Sequence, residues 1–342
     1  MDNLTKAKAG DYVGGTFVIA SIEQKEGARG GPILTGKLQN RFGVMPFKKW
    51  KSTLDGEGVG KGNVVTITAT LDIYEGSAQL IVLSWDIAAD TDYTEADLVP
   101  HSPIDSDILW SDMLAHIERI EDDGLRGWLS AFVAEKEARI RRAPAAMVMH
   151  HAYAGGLLEH INGLCRAAEQ IATVYDVDLD VLTAGCVLHD IGKIFELEAF
   201  PSLDYTTIGN LVGHVAMGIT AVSQSMLAWN TEAVASMKSE GALYKTEQRK
   251  VPIAQQVRYH VMHIIASHHG TAEHGAVRPP ATLEAMVFHH LDMIDSRAWM
   301  FAKHIADHHG EEQFTGFHRG LEARLWRVPG RYAQVMEDPD GN

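Results

Sequence analysis

The chain has 342 residues, of which 46% are hydrophobic, so it is long for one compact domain and comfortable for two. Its two cysteines, Cys165 and Cys186, each sit in an apolar helical pattern, which argues against a disulfide framework and predicts core residues in a reducing compartment. There is no N-terminal charged-then-apolar segment and no run of about 18 apolar residues. We therefore expect no signal peptide, no membrane span and a cytoplasmic location.

The net charge of −15 is unevenly distributed along the chain. Residues 1–85 carry ten Lys or Arg against eight Asp or Glu, a net charge of +2, so residues 86–342 carry −17. Because an acidic surface repels polyanions, this distribution argues against the larger part being a simple nucleic-acid binder. It does not argue against an active site there.

Five short runs of β-branched or alternating apolar residues fill the N-terminal part, separated by Gly-rich or polar breaks. They are TFVIASIEQKEG, PILTGKLQN, GVMPFKKW, NVVTITATLDIYEG and SAQLIVLSW. Five strands of this length predict a small closed barrel, and the oligonucleotide-binding (OB) fold is the form that suits them best. We place this domain at residues 1–90.

Aromatic and basic side chains are interleaved in the predicted barrel, a mixture suited to stacking bases and neutralising phosphates of a single strand. The candidate strand-binding residues are Arg41, Lys48, Lys49 and Trp50. An alternative stays open, in which Phe47 and Trp85 are core residues and the lysines form a solvated edge.

The polar, proline-containing stretch DIAADTDYTEADLVPHSPIDSD predicts a linker, which we place at residues 91–108. Beyond it, apolar residues recur at helical spacing. One helical face is formed by Leu157, Leu158, Ile161, Leu164, Ala168 and Ile171, and a second by Leu182, Cys186, Val187, Ile191 and Ile194. We therefore expect a multidomain chain, with an all-α domain over residues 109–335.

Many of the 18 histidines follow these apolar faces: His160 is three residues after Leu157, and His268 is four after Ile264. A single inward histidine is more often a satisfied core residue than a ligand. Several on successive helices favour a shared electron-poor partner, which a metal ion would provide.

The string VLHDIGKIFEL places a His-Asp pair and a lysine in an otherwise buried pattern, so the pair needs a partner. The candidate ligands are His160, His189, Asp190, His214, His268, His269 and Asp292, enough for two ions with Asp190 as the natural bridge. Mixed imidazole and carboxylate ligands suit Mn, Fe, Co, Ni or Zn. Two ions about 3.5 to 4 Å apart clamp a phosphoryl group and activate a water, so the set points to phosphoester hydrolysis.

The order His, His-Asp, Asp resembles the HD-domain metal-dependent phosphohydrolases. The strings HHAYAGGLLEH, AGCVLHDIGKIFEL, GNLVGHVAMG, IIASHHG and EAMVFHHLDMIDS are similar to those of the YhaM-type 3′-5′ exoribonucleases. That family joins an N-terminal OB barrel to a C-terminal HD domain. The chain lacks a Gly-Tyr-Pro string after HHG, which counts against the cyclic-dinucleotide phosphodiesterases.

The resemblance implies roles for individual residues. A core metal would be held by His160, His189, Asp190 and Asp292, and a second one by His214 with His268 or His269. Asp190 and Lys193 would be catalytic, with Lys193 on the same helical face as His189 and near the scissile phosphate as an electrostatic clamp or an acid, unless it is a surface lysine. His150 and His151 would line the substrate mouth, unless they serve local packing. Asp295 is better placed behind the ligands than among them.

We interpret the chain as a manganese-type exonuclease that acts from the 3′ end of single-stranded RNA, and we leave open whether DNA is also a substrate. Two alternatives stay open: a phosphohydrolase of small nucleotides, and a non-enzymatic nucleic-acid-binding module with a structural ion. A membrane partner is not expected. The native metal and a homo-oligomeric state are left open.

Overall fold

The computed structural model describes residues 8–27, 30–74, 77–147, 151–198, 204–238, 250–308 and 312–328. These residues form two compact units, one made of residues up to 103 together with those from 297 onward, and the other running from 104 to 296. The first contains a β-barrel and the second is helical. The prediction of an OB-like barrel followed by a helical domain is therefore confirmed.

The barrel has five strands: β1 (Tyr12–Glu26), β2 (Pro32–Asn40), β3 (Gly43–Trp50), β4 (Val64–Tyr74) and β5 (Ser77–Ile87). The long strand β1 pairs antiparallel with β4 through its first part and with β2 through its second. β3 pairs antiparallel with β2 and parallel with β5, which closes the barrel in the order β1-β2-β3-β5-β4. This closed five-stranded arrangement is that of the OB fold. The short helix α1 (Leu54–Glu57) lies between β3 and β4.

The barrel encloses its own hydrophobic core because inward residues alternate along each strand. In β4 the inward positions are at most 2% exposed, and they are Val65, Ile67, Ala69 and Leu71. Phe47 and Trp85 join this core with ring centroids 5.6 Å apart. The core assignment of these two aromatic residues, left open by the sequence, therefore holds.

Ten α-helices follow in the described residues: α2 (Glu95–Leu98), α3 (Ser106–Glu118), α4 (Asp123–Glu135), α5 (Glu137–Ile140), α6 (Gly156–Ile171), α7 (Leu179–Leu188), α8 (Lys193–Glu196), α9 (Thr207–Val212), α10 (His214–Lys238) and α11 (Gln255–Ser267). An eleventh, α12 (Leu283–Ala306), follows and extends past residue 296. Side chains of Asp105, Asp122 and Asp178 cap α3, α4 and α7 by accepting backbone N–H groups. The free thiols Cys165 and Cys186 are buried on α6 and α7. No described helix is both long and apolar enough to cross a membrane.

A two-stranded hairpin, β6 (Phe314–His318) and β7 (Ala323–Trp326), lies where the sequence predicts only helix. In each strand one buried residue has exposed neighbours: Thr315 and Leu325 are buried, whereas Phe314 and Trp326 are exposed. The prediction of an all-α chain up to residue 335 is therefore wrong in this segment.

Candidate metal centre

The His-Asp pair stands at the C-terminal end of α7 and not within a longer helix. The sequence pattern predicts a helix through Ile194, but α7 ends at Leu188 and a turn leads to α8. Gly192 lies in that turn, where a Cβ would be 1.9 Å from the backbone oxygen of His214. The prediction was wrong because the backbone must turn here to let the start of α10 approach, and only glycine leaves room for it.

Five helices bring the seven predicted ligands together. The seven residues are His160 on α6, His189 and Asp190 at the end of α7, His214 at the start of α10, His268 and His269 at the end of α11, and Asp292 on α12. Their close distances define two groups of donor atoms, which share Asp190.

In the first group, His160 Nε2 lies 3.2 Å from His189 Nε2 and 3.2 Å from Asp292 Oδ1. The Oδ2 atom of Asp190 is 3.2 Å from His189 Nε2. Three of these side chains, those of His160, His189 and Asp190, are at most 4% exposed. The first group is thus a set of two imidazoles and two carboxylates that lie close together, and three of these four side chains are buried.

In the second group, His214, His268 and His269 each offer a ring nitrogen, and these nitrogens lie within 4.8 Å of one another. The Oδ1 atom of Asp190 is 3.4 Å from His214 Nε2 and 3.7 Å from His268 Nε2. The two carboxylate oxygens of Asp190 therefore face different groups, Oδ2 the first and Oδ1 the second.

Backbone carbonyls orient two of the histidines. His189 Nδ1 donates to the oxygen of Cys186 at 3.1 Å, and His268 Nδ1 donates to the oxygen of Ile265 at 2.8 Å. Because a carbonyl only accepts, Nδ1 must carry the proton in both rings. Each ring is therefore oriented with Nε2 toward the centre, the atom that would hold a metal ion once it carries no proton.

Carboxylates orient two further histidines, His160 and His214. His160 Nδ1 is 2.8 Å from Asp295 Oδ2, and His214 Nδ1 is 3.1 Å from Glu196 Oε2. The pKa of Asp295 is lowered, since hydrogen bonds from His151 and His160 outweigh the opposing effect of burial. The expected placement of Asp295 behind the ligands agrees with this geometry. Glu196 was not singled out in the sequence, although it is the last residue but one of the string VLHDIGKIFEL, which contains the His-Asp pair.

Unpaired polar atoms test whether this site fits a metal ion. Among the described residues, four site atoms are buried without a hydrogen-bond partner: Asp190 Oδ1, His214 Nε2, His268 Nε2 and His269 Nδ1. Leaving one such atom unsatisfied costs about 1–3 kcal/mol. Imidazole nitrogens and carboxylate oxygens together are the donor set of borderline divalent cations, so a cation would satisfy all four. The residues fit the metal that the sequence predicts.

The local charges favour ligand-competent protonation states at most of these positions. Burial alone would raise the pKa of Asp190, but the Lys193 ammonium and the nearby imidazoles of His189 and His214 hold it well below its usual range. Burial lowers the pKa of His268 well below its ordinary value, and the neighbouring imidazoles add to this effect. Asp190 is therefore ionised and His268 neutral near pH 7.

Lys193 lies in the site. The sequence predicts that it shares a helical face with His189, but α7 ends before Lys193. Its Nζ donates to Asp190 Oδ2 at 2.5 Å and also to the backbone oxygen of Ala145. Its side chain is only 12% exposed, so it is not a surface lysine. The proposed action on a scissile phosphate stays a prediction.

His151 is buried behind His160. Its Nδ1 is 2.7 Å from the hydroxyl of Tyr153, and its Nε2 is 3.6 Å from Asp295 Oδ2. The Tyr153 hydroxyl in turn donates to Glu159 Oε2 at 2.9 Å. The structure thus places His151 in a hydrogen-bonded layer that supports a ligand. His150 lies outside the described residues, and a role of either histidine at the substrate mouth stays a prediction.

The four candidate strand-binding residues of the barrel separate into two sets. Arg41 is exposed beside Phe42, and Lys48 lies 5.2 Å from the ring of Tyr74 on the face of β3 that also carries Trp50, which is 49% exposed. Lys49 points to the other face of β3. There its Nζ pairs with Glu57 at 2.5 Å. A nucleic-acid strand on the outer face of β3 would contact Lys48 and Trp50 together. It would not contact Lys49 there, because Lys49 lies on the other face.

Metal binding should release a proton from His160. Burial would lower its pKa, but hydrogen bonds to Asp292 and Asp295 outweigh burial and raise the pKa to about 9. Because this exceeds the ordinary value of about 6.5, His160 stabilises the metal-free fold fully below pH 6.5 and loses that contribution as the pH rises through 9. Binding of Mn²⁺ at pH 7.5 needs a free Nε2 and should release about one proton. Titration calorimetry in buffers of different ionisation enthalpy measures this release, and identical heats in all buffers would contradict it.

Comparison with known proteins agrees with this geometry. Residues 157–297 match the model of the HD domain family. A protein of Listeria innocua serovar 6a named 3′-5′ exoribonuclease YhaM is 27% identical over 327 residues, which are 94% of this chain and 96% of that protein. The proteins of the same name from Oceanobacillus iheyensis and Bacillus subtilis strain 168 are each 27% identical, over 86% and 85% of this chain and 87% and 86% of those proteins.

Among solved structures, the second OB-fold domain of replication protein A from Methanococcus maripaludis aligns with 26% of this chain and 95% of that domain. The identity is 13% and the TM-score 0.23, so the fold of the barrel rests on its strand order. Residues 157–297 are similar to the HD domain family, and the likeness of the chain to the YhaM-type exoribonucleases, which its motifs indicate, is confirmed.

Proposed function

We propose that this protein is a metal-dependent 3′-5′ exoribonuclease that removes nucleoside monophosphates from single-stranded RNA. The main support for the proposal is the buried cluster of imidazole and carboxylate side chains around Asp190. Four polar atoms of this cluster have no hydrogen-bond partner among the described residues. The names of relatives that span most of this chain support the substrate and the direction.

The two donor groups support a pair of ions that share Asp190. One ion would be held by His160, His189, Asp190 and Asp292, and the other by Asp190, His214, His268 and His269. Bound divalent ions, for which we propose Mn²⁺, supply charge stabilisation and water activation for hydrolysis of a phosphodiester. The positive charge of Lys193 stands beside Asp190, where it would stabilise the negative charge that develops on the phosphoryl oxygens.

The barrel supplies strand capture in this proposal. The helical part belongs to the segment with a net charge of −17, which has little long-range attraction for RNA, whereas residues 1–85 carry +2. Trp50 and Tyr74 are 49% and 59% exposed, and Lys48 lies over the Tyr74 ring. Exposed aromatic rings beside a cation are what base stacking and phosphate contact require.

Replacing Trp50 with alanine should therefore weaken capture of long strands selectively. A stacked base is worth about 1–3 kcal/mol, so KM for a single-stranded RNA of about 20 nucleotides should rise roughly 5- to 150-fold. The kcat value and the cleavage of a dinucleotide should change little, because the ligands of the metal centre lie in the other unit. Steady-state kinetics on RNAs of increasing length give the comparison.

Tyr175→Ala is the matched control, because Tyr175 is 54% exposed but lies in the helical unit. It should leave KM unchanged at every length. Equal effects of Trp50→Ala at all lengths, together with efficient hydrolysis of mononucleotides, would favour the small-nucleotide phosphohydrolase instead.

A further inference from the structure

Glu196 is a buried carboxylate at the end of α8 that touches a ligand and not the centre itself. It is 8% exposed. Its Oε1 accepts the backbone N–H of His214 at 2.9 Å, and its two oxygens lie 3.2 and 3.1 Å from His214 Nδ1. A single side chain therefore holds both the backbone and the ring of this histidine.

The contact determines which ring nitrogen of His214 carries the proton. An ionised carboxylate only accepts hydrogen bonds, so the proton must lie on Nδ1. The lone pair of Nε2 then faces Asp190 Oδ1 at 3.4 Å, and this Nε2 has no hydrogen-bond partner among the residues that the structure describes. The ring is fixed in the tautomer that a cation requires.

The short helix α8 links this histidine to Asp190. Lys193 and Glu196 are three residues apart and so lie on one face of the helix. Lys193 bonds to Asp190, and Glu196 bonds to His214. The first donor group has its own supporting carboxylate, Asp295, which contacts His160 and belongs to a different helix.

We propose that Glu196 is a positioning residue that sets the tautomer of His214 and thereby controls occupancy of the second ion site independently of the first. The inference rests on the proposed two-ion function. Each ion site would have its own supporting carboxylate, Glu196 for the second and Asp295 for the first. A substitution at either residue would therefore weaken metal binding at one site only.

A glutamine at position 196 tests the tautomer with almost no change of shape. Its amide oxygen can still accept the backbone N–H of His214, but its NH₂ group then faces Nδ1 as a donor. This donor, at the Oε2 position, competes with the amide oxygen that remains 3.2 Å from Nδ1, so it disfavours a proton on Nδ1 and raises the share of rings with the proton on Nε2, where it blocks the ligand position. Glu196→Asp keeps an acceptor-only carboxylate and should retain the Nδ1 proton.

The experiment uses the full chain, stripped of metal and titrated with Mn²⁺ by calorimetry, with elemental analysis of bound metal. The unmodified protein should bind two ions, whereas Glu196→Gln should bind the second about 10- to 100-fold more weakly and the first unchanged. Asp295→Asn, the matched control, should weaken the first ion instead. Long-range ¹⁵N correlation spectra of the metal-free proteins report the tautomer directly, with His214→Gln identifying the signal.

The proposal is overturned if Glu196→Gln binds both ions like the unmodified protein, or if its His214 keeps the Nδ1 proton. It is also overturned if the unmodified protein binds one ion only. Circular dichroism melting, with Glu196→Asp as the rescue variant, separates loss of the tautomer from loss of the fold. Metal count and tautomer are read without RNA, so failure of the exoribonuclease proposal would show itself separately, as absent hydrolysis by the fully loaded protein.

Discussion

Replacing Asp190 with asparagine is expected to lower the rate of RNA hydrolysis by about 1,000-fold or more, roughly 4 kcal/mol in the activation barrier. The carboxylate oxygens face different donor groups, Oδ2 toward His189 and Oδ1 toward His214 and His268. Asparagine keeps the shape but loses the charge and replaces one oxygen with an NH₂ donor. It would therefore no longer offer a charged oxygen to each of the two donor groups that would hold the ions.

Single-turnover hydrolysis of labelled RNA, bound metal and the circular dichroism spectrum should be measured together. Asp176→Asn, at an exposed position after α6, is the control for the same chemical change and should behave like the unmodified protein. Near-normal hydrolysis by Asp190→Asn with full metal loading would contradict the assignment.

Replacing Lys193 with methionine should lower kcat by about 100- to 1,000-fold, with a smaller effect on KM. The change removes the ammonium that bonds to Asp190 Oδ2 and to the Ala145 carbonyl, and with it the cationic charge beside the centre. Steady-state kinetics with saturating Mn²⁺ measure both constants.

Lys193→Arg separates the two roles predicted for this residue. Arginine keeps the charge but does not give up a proton in proteins, so it should recover part of the activity if Lys193 acts electrostatically and none if it is the acid. Activity of Lys193→Met within a factor of two of the unmodified protein would remove Lys193 from the catalytic residues.

The strands and the inward positions of the histidines were predictable because both depend on local pattern. Alternating apolar residues between glycine-rich breaks predict β1 to β5, and histidines that follow apolar helical faces predict the inward positions of His160 and His268. Neither inference needs a contact distant in sequence.

The remaining features depend on such contacts. α7 ends at Leu188 because the start of α10 approaches Gly192. Neither the alternating strand pattern nor the helical spacing of apolar residues indicates that approach. Lys49 pairs with Glu57, so its ammonium is less available for the phosphate contact that the sequence predicts. The sequence does not indicate this pairing, because both residues look exposed in it. Glu196 gains its importance only when α8 places it against His214, which is 18 residues further along the chain.

The direction and class of the reaction are tested most directly with a 5′-end-labelled single-stranded RNA of about 20 nucleotides, incubated with the purified protein and Mn²⁺ and sampled over time. The proposed function predicts a ladder of labelled products that shorten one nucleotide at a time from the 3′ end, with nucleoside monophosphates released and with no ladder for Asp190→Asn. Immediate release of a labelled mononucleotide from the 5′ end, internal cuts, or an intact RNA beside rapid hydrolysis of free nucleotides would contradict it.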